Sequence, residues 1–296
     1  MSDGLGMKIL MWRKGLAGLS CSLLLSAALP VHAGGRLIAT GGATQIEGAA
    51  GGGLTPWALI AGYGTRDEIG VTGFYTYINI SDFVLDSTGI AVGIHDRVEL
   101  SLARQHMQLG TSVPGHAIEQ DIVGLKLKIS GDAVFDQDTW KPQLAVGVQY
   151  KHNRDFDFVP RLLGAKSASG VDVYVSATKL YLAGWTGRNV LLNATVRGTR
   201  ANQMGLLGFG GDRSNAYSAQ FEGSAAVFLN DRLALGMEYR HKPNNLSVYE
   251  ESSYRDVFLG WTPNKHLSLT LAYAQMGRVA DKANQNALYA SLQLAY

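Results

Sequence analysis

The chain has 296 residues, 26 Lys and Arg against 24 Asp and Glu, a formal net charge of +2, and only 17% charged residues. That composition excludes a disordered polyelectrolyte and a nucleic-acid binder built on clustered basic residues. One Cys excludes a disulfide framework or a Cys-rich zinc site, and 36 Gly without a three-residue period exclude collagen.

Residues 1–33 are predicted to be a signal peptide. Lys8, Arg13 and Lys14 form a positive start, residues 15–29 an apolar run, and Pro30 a break before Val31-His32-Ala33 at the cleavage positions. The run is shorter than the roughly 20 residues that span a bilayer as a helix. Cys21 leaves with the signal, as do three basic residues and Asp3. The mature chain is therefore predicted to be neutral and thiol-free.

Residues 34–68 are a Gly-rich segment, with Gly41-Gly42 and the run GAAGGG over 48–53. Such runs read as loop or as close backbone approach. Two fates stay open: a small plug inside the fold, or two additional strands over 36–47 and 56–63.

From residue 69 onward the apolar residues recur at period two, the pattern of strands with one dry and one wet face. Over 140–151, Leu144, Val146, Val148 and Tyr150 alternate with Gln143, Ala145, Gly147 and Gln149. Strands are predicted at 69–80, 86–95, 97–109, 118–129, 139–152, 171–183, 189–201, 215–229, 232–241, 254–261, 265–275 and 286–296. Most are longer than the five or six residues usual in soluble sheets and suit a tilted membrane crossing. Connections alternate short and long, with loops placed at 153–170, 202–214, 242–253 and 276–285. Trp140, Trp185, Trp261 and Tyr296 gather near the short turns, and Tyr150, Tyr217, Tyr239, Tyr254 and Tyr273 near the long loops. Two aromatic belts and that loop asymmetry mark an outer-membrane barrel. Residues 69–296 are thus predicted to be an all-β, transmembrane antiparallel β-barrel of twelve strands, or fourteen if 34–68 joins the wall. It closes because a membrane offers no water to an unpaired sheet edge.

Residues 41–70 (GGATQIEGAAGGGLTPWALIAGYGTRDEIG) and 131–151 (GDAVFDQDTWKPQLAVGVQYK) resemble a proteobacterial family of unknown function, made up of outer-membrane, porin-like exported proteins. The last strand, apolar at alternate positions and ending in Tyr296, resembles the C-terminal assembly signal of Gram-negative outer-membrane barrels. The resemblance implies the bacterial cell outer membrane as location and the barrel-assembly machinery as partner in biogenesis. It implies outer-membrane lipids and lipopolysaccharide as surroundings, and brings no activity with it.

If the apolar parity faces lipid, the other parity lines the lumen. Its charged residues are then Lys126, Lys128, Lys141, Lys151, Lys179, Arg197 and Arg240 against Glu99, Glu222 and Glu238. An electropositive narrow tube focuses its field, so these residues predict a porin-like channel for small solutes with weak anion preference. A second reading pairs the charges across the lumen and closes it, leaving a structural or surface-interaction barrel. A third is an enzyme acting on lipid or peptide, which requires a Ser–His pair on the lipid face near the outer rim. His106 and His241 fall near outer strand ends, but no G-x-S-x-G or H-E-x-x-H motif is present. His152, Arg154, Asp155 and Asp157 share one loop and read as a solvated stretch. Asp132, Asp136 and Asp138 lack the calcium-loop spacing and read as turn caps. No catalytic residue, metal or cofactor is assigned, and nucleic acid is not a partner.

Overall fold

The fold is drawn from a computed structural model, in which residues 42–184 and 187–296 are described. The predicted signal peptide and Trp185 lie outside them. Two short strands come first, β1 (Ala43–Thr44) and β2 (Ala50–Gly51). The wall then runs β3 (Ile69–Ile80), β4 (Val84–Ile94), β5 (Val98–Gln108), β6 (Ala117–Ser130), β7 (Gln143–Asn153) and β8 (Ser169–Tyr181). It continues through β9 (Val190–Thr199), β10 (Ser218–Asn230), β11 (Leu233–Arg240), β12 (Tyr254–Asn264), β13 (Leu267–Val279) and β14 (Lys282–Ala295).

Each wall strand pairs antiparallel with the next, and β14 returns to β3, so twelve strands form one closed barrel. The seam runs from Ala287 opposite Ile80 to Ala295 opposite Thr72. Beyond it, Val71 and Tyr296 exchange two more backbone hydrogen bonds of 2.7 and 2.8 Å. The seam therefore leaves no unpaired edge, as a membrane-spanning sheet requires.

Period two sets which way each side chain points. In β7, Gln143, Gln149, Lys151 and Asn153 point inward and are buried, while Leu144, Val146, Val148 and Tyr150 point outward and are exposed. The same inversion runs around the wall, with Met237, Leu271 and Leu288 each about 60% exposed (61%, 60% and 63%). A continuous outward apolar band is untenable in water and natural in lipid.

Two expectations about connections are corrected. The predicted loop 276–285 is instead a continuation of the β13–β14 hairpin, bulged between Gln275 and Val279 and turning at 280–281. Met276, Val279 and Ala280 are buried in an apolar cluster at that end, with the two bulges interrupting the alternation between them. The short–long rule also fails at 131–142, a long connection on the turn side. There Ala133 and Val134 pack inward against Trp57, Leu180 and Leu191.

Residues 42–64 do not join the wall, so the fourteen-strand alternative does not hold. β1 and β2 pair with each other, and the segment lies inside the barrel. It enters at the turn end, where the Thr44 hydroxyl donates to Gln293 of β14 (2.7 Å). Its tip, at residues 45–49, reaches the loop-side half of the lumen. There the Ile46 carbonyl accepts from Ser87 and Gln105. Gly48 makes the reversal with φ +97°, a conformation that side-chain-bearing residues rarely adopt. The returning limb descends along the wall to Ala61, and Gly62 and Gly64 pass against the Gly70 backbone before β3 begins.

Candidate functional site

The inserted segment is held by lumen charges, and these form the candidate site. Five successive strands place one inward charge each in a single row, in alternating sign: Lys151 on β7, Asp172 on β8, Arg197 on β9, Glu222 on β10 and Arg240 on β11, which carries Glu238 two residues below the row. Lys151 Nζ lies 2.6 Å from Asp172, and Arg197 lies 3.4 Å from Asp172 and pairs with Glu222 through Nε. Arg240, opposite Glu222 in register, lies 3.4 Å from it.

Glu47 enters this row from the tip of the segment. Arg240 donates to both of its oxygens, at 2.8 and 3.1 Å. Lys151 donates to it as well, and Arg197 NH2 lies 3.6 Å away. All six side chains are buried. The low dielectric strengthens their mutual attraction, and mutual hydrogen bonding is what makes buried charges tenable. The Arg197 guanidinium also stands over the Tyr174 ring at 5.1 Å.

Two further anchors sit nearer the turn end. Lys126 and Glu99 pair at 3.0 Å. Lys126 donates to the carbonyls of Ala50 (2.9 Å) and Leu59 (2.8 Å), and Glu99 accepts from the N–H groups of Ala50 (3.1 Å) and Ala61 (2.9 Å). One ion pair thus clamps both limbs of the segment. Glu238 accepts from the Leu54 N–H (2.8 Å), the Thr55 hydroxyl (2.7 Å) and the Ser224 hydroxyl (2.9 Å). Gly52 is required beside it, because a Cβ there would stand 2.0 Å from a Glu238 oxygen. Asp256 faces Glu238 across the β11–β12 pairing, and its Oδ1 has no hydrogen-bond partner.

A loop closes the site from the other side. Residues 202–205 fold inward over Glu47 with Gln203 and Met204 in left-handed backbone conformations. The Met204 carbonyl accepts from Lys151 (3.3 Å) and from Gln120 (3.2 Å). Beside it, Lys242 pairs with Glu251 at 2.9 Å. Burial pushes the Lys242 ammonium down to about 8, against the opposing pull of Glu251. Between the segment and the β9–β13 wall there remains a cavity of about 50 Å³ bordered by Trp57, Phe228 and Phe258. It has room for a few waters.

The structure places Lys126, Lys151, Arg197, Arg240, Glu99, Glu222 and Glu238 deep in the lumen. It separates three others from them. Lys141 precedes β7 and is exposed, since no wall strand aims it inward. Lys179 shares the outward parity of Val173 and Val175, and its ammonium turns to the Asp136 carbonyl in the 131–142 connection. Lys128 stands at the turn-side rim, 2.7 Å from Asp96 and 3.8 Å from Asp132. Asp132 also caps the N–H groups of Val134 and Phe135.

Asp172, Asp256 and Glu47 were missed. Asp172 lies in a strand whose parity is confused by Lys179, and Asp256 sits in the lumen parity of 254–261 beside Arg255, which makes the pair read as a solvated charge couple. Glu47 belongs to a segment with no periodicity. With them included, the deep lumen carries Lys126, Lys151, Arg197 and Arg240 against Glu47, Glu99, Asp172, Glu222, Glu238 and Asp256. The plugged lumen is not electropositive.

On the outward face at the loop side, His152 Nδ1 lies 2.7 Å from the Ser169 hydroxyl, which also receives the Tyr150 hydroxyl at 3.2 Å. Asp121 is opposite His152 in register, on the side away from Ser169. His106 lies 3.6 Å from Glu119, and His241 Nδ1 contacts Gln220.

The family described as "Protein of unknown function (DUF3034)" matches residues 40–293. No curated protein matches the sequence. Among solved structures, the KdgM porin is similar at a TM-score of 0.48 and 10% identity, covering 76% of this chain and 99% of that one. The Acinetobacter baumannii outer membrane protein Omp33 is similar at 0.43 and 7%, covering 77% and 97%. Outer membrane phospholipase A from Escherichia coli is similar at 0.36 and 10%, covering 75% and 89%.

Proposed function

The chain belongs to that family of unknown function and is an outer-membrane β-barrel of a Gram-negative bacterium, and we propose that it is a channel for passive passage of small solutes, closed by residues 42–64 until they withdraw. The observation that carries this reading is the chemistry of the wall behind the segment. Thr178, Asn193, Thr195, Ser176 and Gln143 line it and bond the segment's backbone at Pro56 and Ala58. An apolar pocket of Leu180, Leu191 and Phe258 receives Trp57 beside them, but the segment's backbone is met by hydroxyl and amide groups. A polar lining is one that water can replace.

Weak anion preference belongs to the withdrawn state. Once Glu47 leaves, Lys151, Arg197 and Arg240 face only Asp172 and Glu222 across the row, a local excess of one positive charge in a deep lumen that otherwise keeps Lys126 against Glu99, Glu238 and Asp256. Planar-bilayer recording tests both parts. The full chain is expected to conduct in rare openings, and a variant lacking residues 42–64 to conduct steadily, with reversal potentials shifted toward the anion. Silence of the deletion variant would mean a structural barrel, and a cation-directed shift would remove the preference.

A second reading rests on the Ser169–His152 pair, which stands where a lipid-acting enzyme of the outer leaflet needs its nucleophile and base. Turnover of phospholipid or acyl ester by purified protein, abolished by S169A, would establish it. Equal rates for S169A and the parent would dismiss it.

A further inference from the structure

Glu47 is the only charged residue in residues 42–64, and it is delivered into the one row of the lumen where cations outnumber wall carboxylates. Without it, three cations (Lys151, Arg197, Arg240) share two wall carboxylates (Asp172, Glu222), and one positive charge is left unmatched. Its two oxygens each receive an Arg240 nitrogen, at 2.8 and 3.1 Å. That is the two-pronged contact by which a planar guanidinium recognises a planar carboxylate rather than a spherical anion. Gln45 of the same tip adds a donor at 2.7 Å, so the carboxylate is solvated wholly by protein. The segment's other anchors, at Glu99, Lys126 and Glu238, mostly grip its backbone. Only at Glu47 does this segment offer a charged group; its other side-chain contacts, from Thr44, Thr55 and Trp57, are neutral donors.

We propose that Lys151, Arg197 and Arg240 form a binding site for solutes bearing a carboxylate, which Glu47 occupies as a built-in surrogate and which an incoming carboxylate takes when the segment withdraws. The site rests on the channel reading above and narrows its solute from small anions to carboxylates. It also couples solute to opening. A carboxylate that fills the row removes the electrostatic reason for Glu47 to return, so its presence favours the withdrawn state by mass action.

The experiment uses the full-length chain in detergent with Glu47→Ala, which deletes a fragment matching acetate. The unfolding midpoint of E47A is expected to fall below that of the parent. Sodium acetate is expected to raise it saturably, whereas sodium chloride at equal ionic strength and neutral acetamide leave it low. The double variant E47A/R240Q is expected to lose the acetate response. Indistinguishable midpoints in acetate and chloride would overturn the proposal, as would an acetate response that survives R240Q. If E47A does not fold, refolding yields of E47D and E47N decide. A yield for E47D several-fold above that of E47N supports a carboxylate site, and equal yields refute it. None of these readouts needs a conducting pore, so the channel reading stands or falls separately, on the bilayer recordings.

Discussion

Of the three centres that hold the inserted segment, two are built in opposite senses. At the loop side the segment supplies the anion, Glu47, and the wall supplies the cations. Nearer the turn end the wall supplies the anion, Glu238, and the segment only N–H and hydroxyl donors. The first is a balance of full charges and the second a set of hydrogen bonds to one charge already faced by another, Asp256. Docking strength should therefore come mainly from the first centre. The second fixes where the chain turns.

The comparison breaks most readily at Glu47. Removing one partner of a buried, paired charge costs about 3–5 kcal/mol, because the others are left uncompensated. E47A should lower stability by that order in denaturant titration of the detergent-solubilised barrel. A loss under about 1 kcal/mol would mean that the row is hydrated and the charges already screened.

At Glu238 the sharper probe is G52A, whose methyl would be forced to 2.0 Å from the Glu238 carboxylate. Overpacking of this kind costs about 1–3 kcal/mol. The segment should loosen while the wall stays closed, seen as faster proteolysis near residues 48–56 with an unchanged heat-modifiable gel shift. D256N should act in the other direction. Like charges directly opposite on neighbouring strands destabilise by up to about 1 kcal/mol, so the denaturation midpoint should rise slightly; a fall would show that the two carboxyls share a proton rather than repel.

The smallest effect is expected at the loop end. Lys242 has a folded-state pKa of about 8, below its ordinary 10.5. Between those values the unfolded chain binds more protons, so the contribution of Lys242 to stability rises with pH across that window and is weakest below it. The midpoint should increase from pH 7.5 to 9.5 in the parent and less so in K242M. A flat parental profile would contradict the burial of that ammonium.

Much of the wall could be read from residue order because one physical rule, period two against a lipid face, decides it locally. β7 shows this best: a residue's parity predicts its environment at every position from Gln143 to Asn153. The rule does not reach Lys141, which precedes β7, and a lumen position for Lys179 runs against it, since Lys179 shares the outward parity of Val173 and Val175 within β8. The rule is silent for Glu47. A Gly-rich segment has no side-chain period, and its position is set by partners on β7, β9 and β11 that lie far away in sequence. The candidate site was thus half visible: the wall's share was inferred, while the charge that completes it was not.

The segment's attachment has a consequence for the order of assembly. Its partners include Glu99 on β5, Thr178 on β8, Glu238 on β11 and Gln293 on β14, positions that come within a few ångströms of one path only after the last strand has met the first. An open, half-built sheet presents no such enclosure. Docking of residues 42–64 is therefore a late event that senses completion of the ring, and a docked segment marks a barrel that has already sealed itself against the membrane.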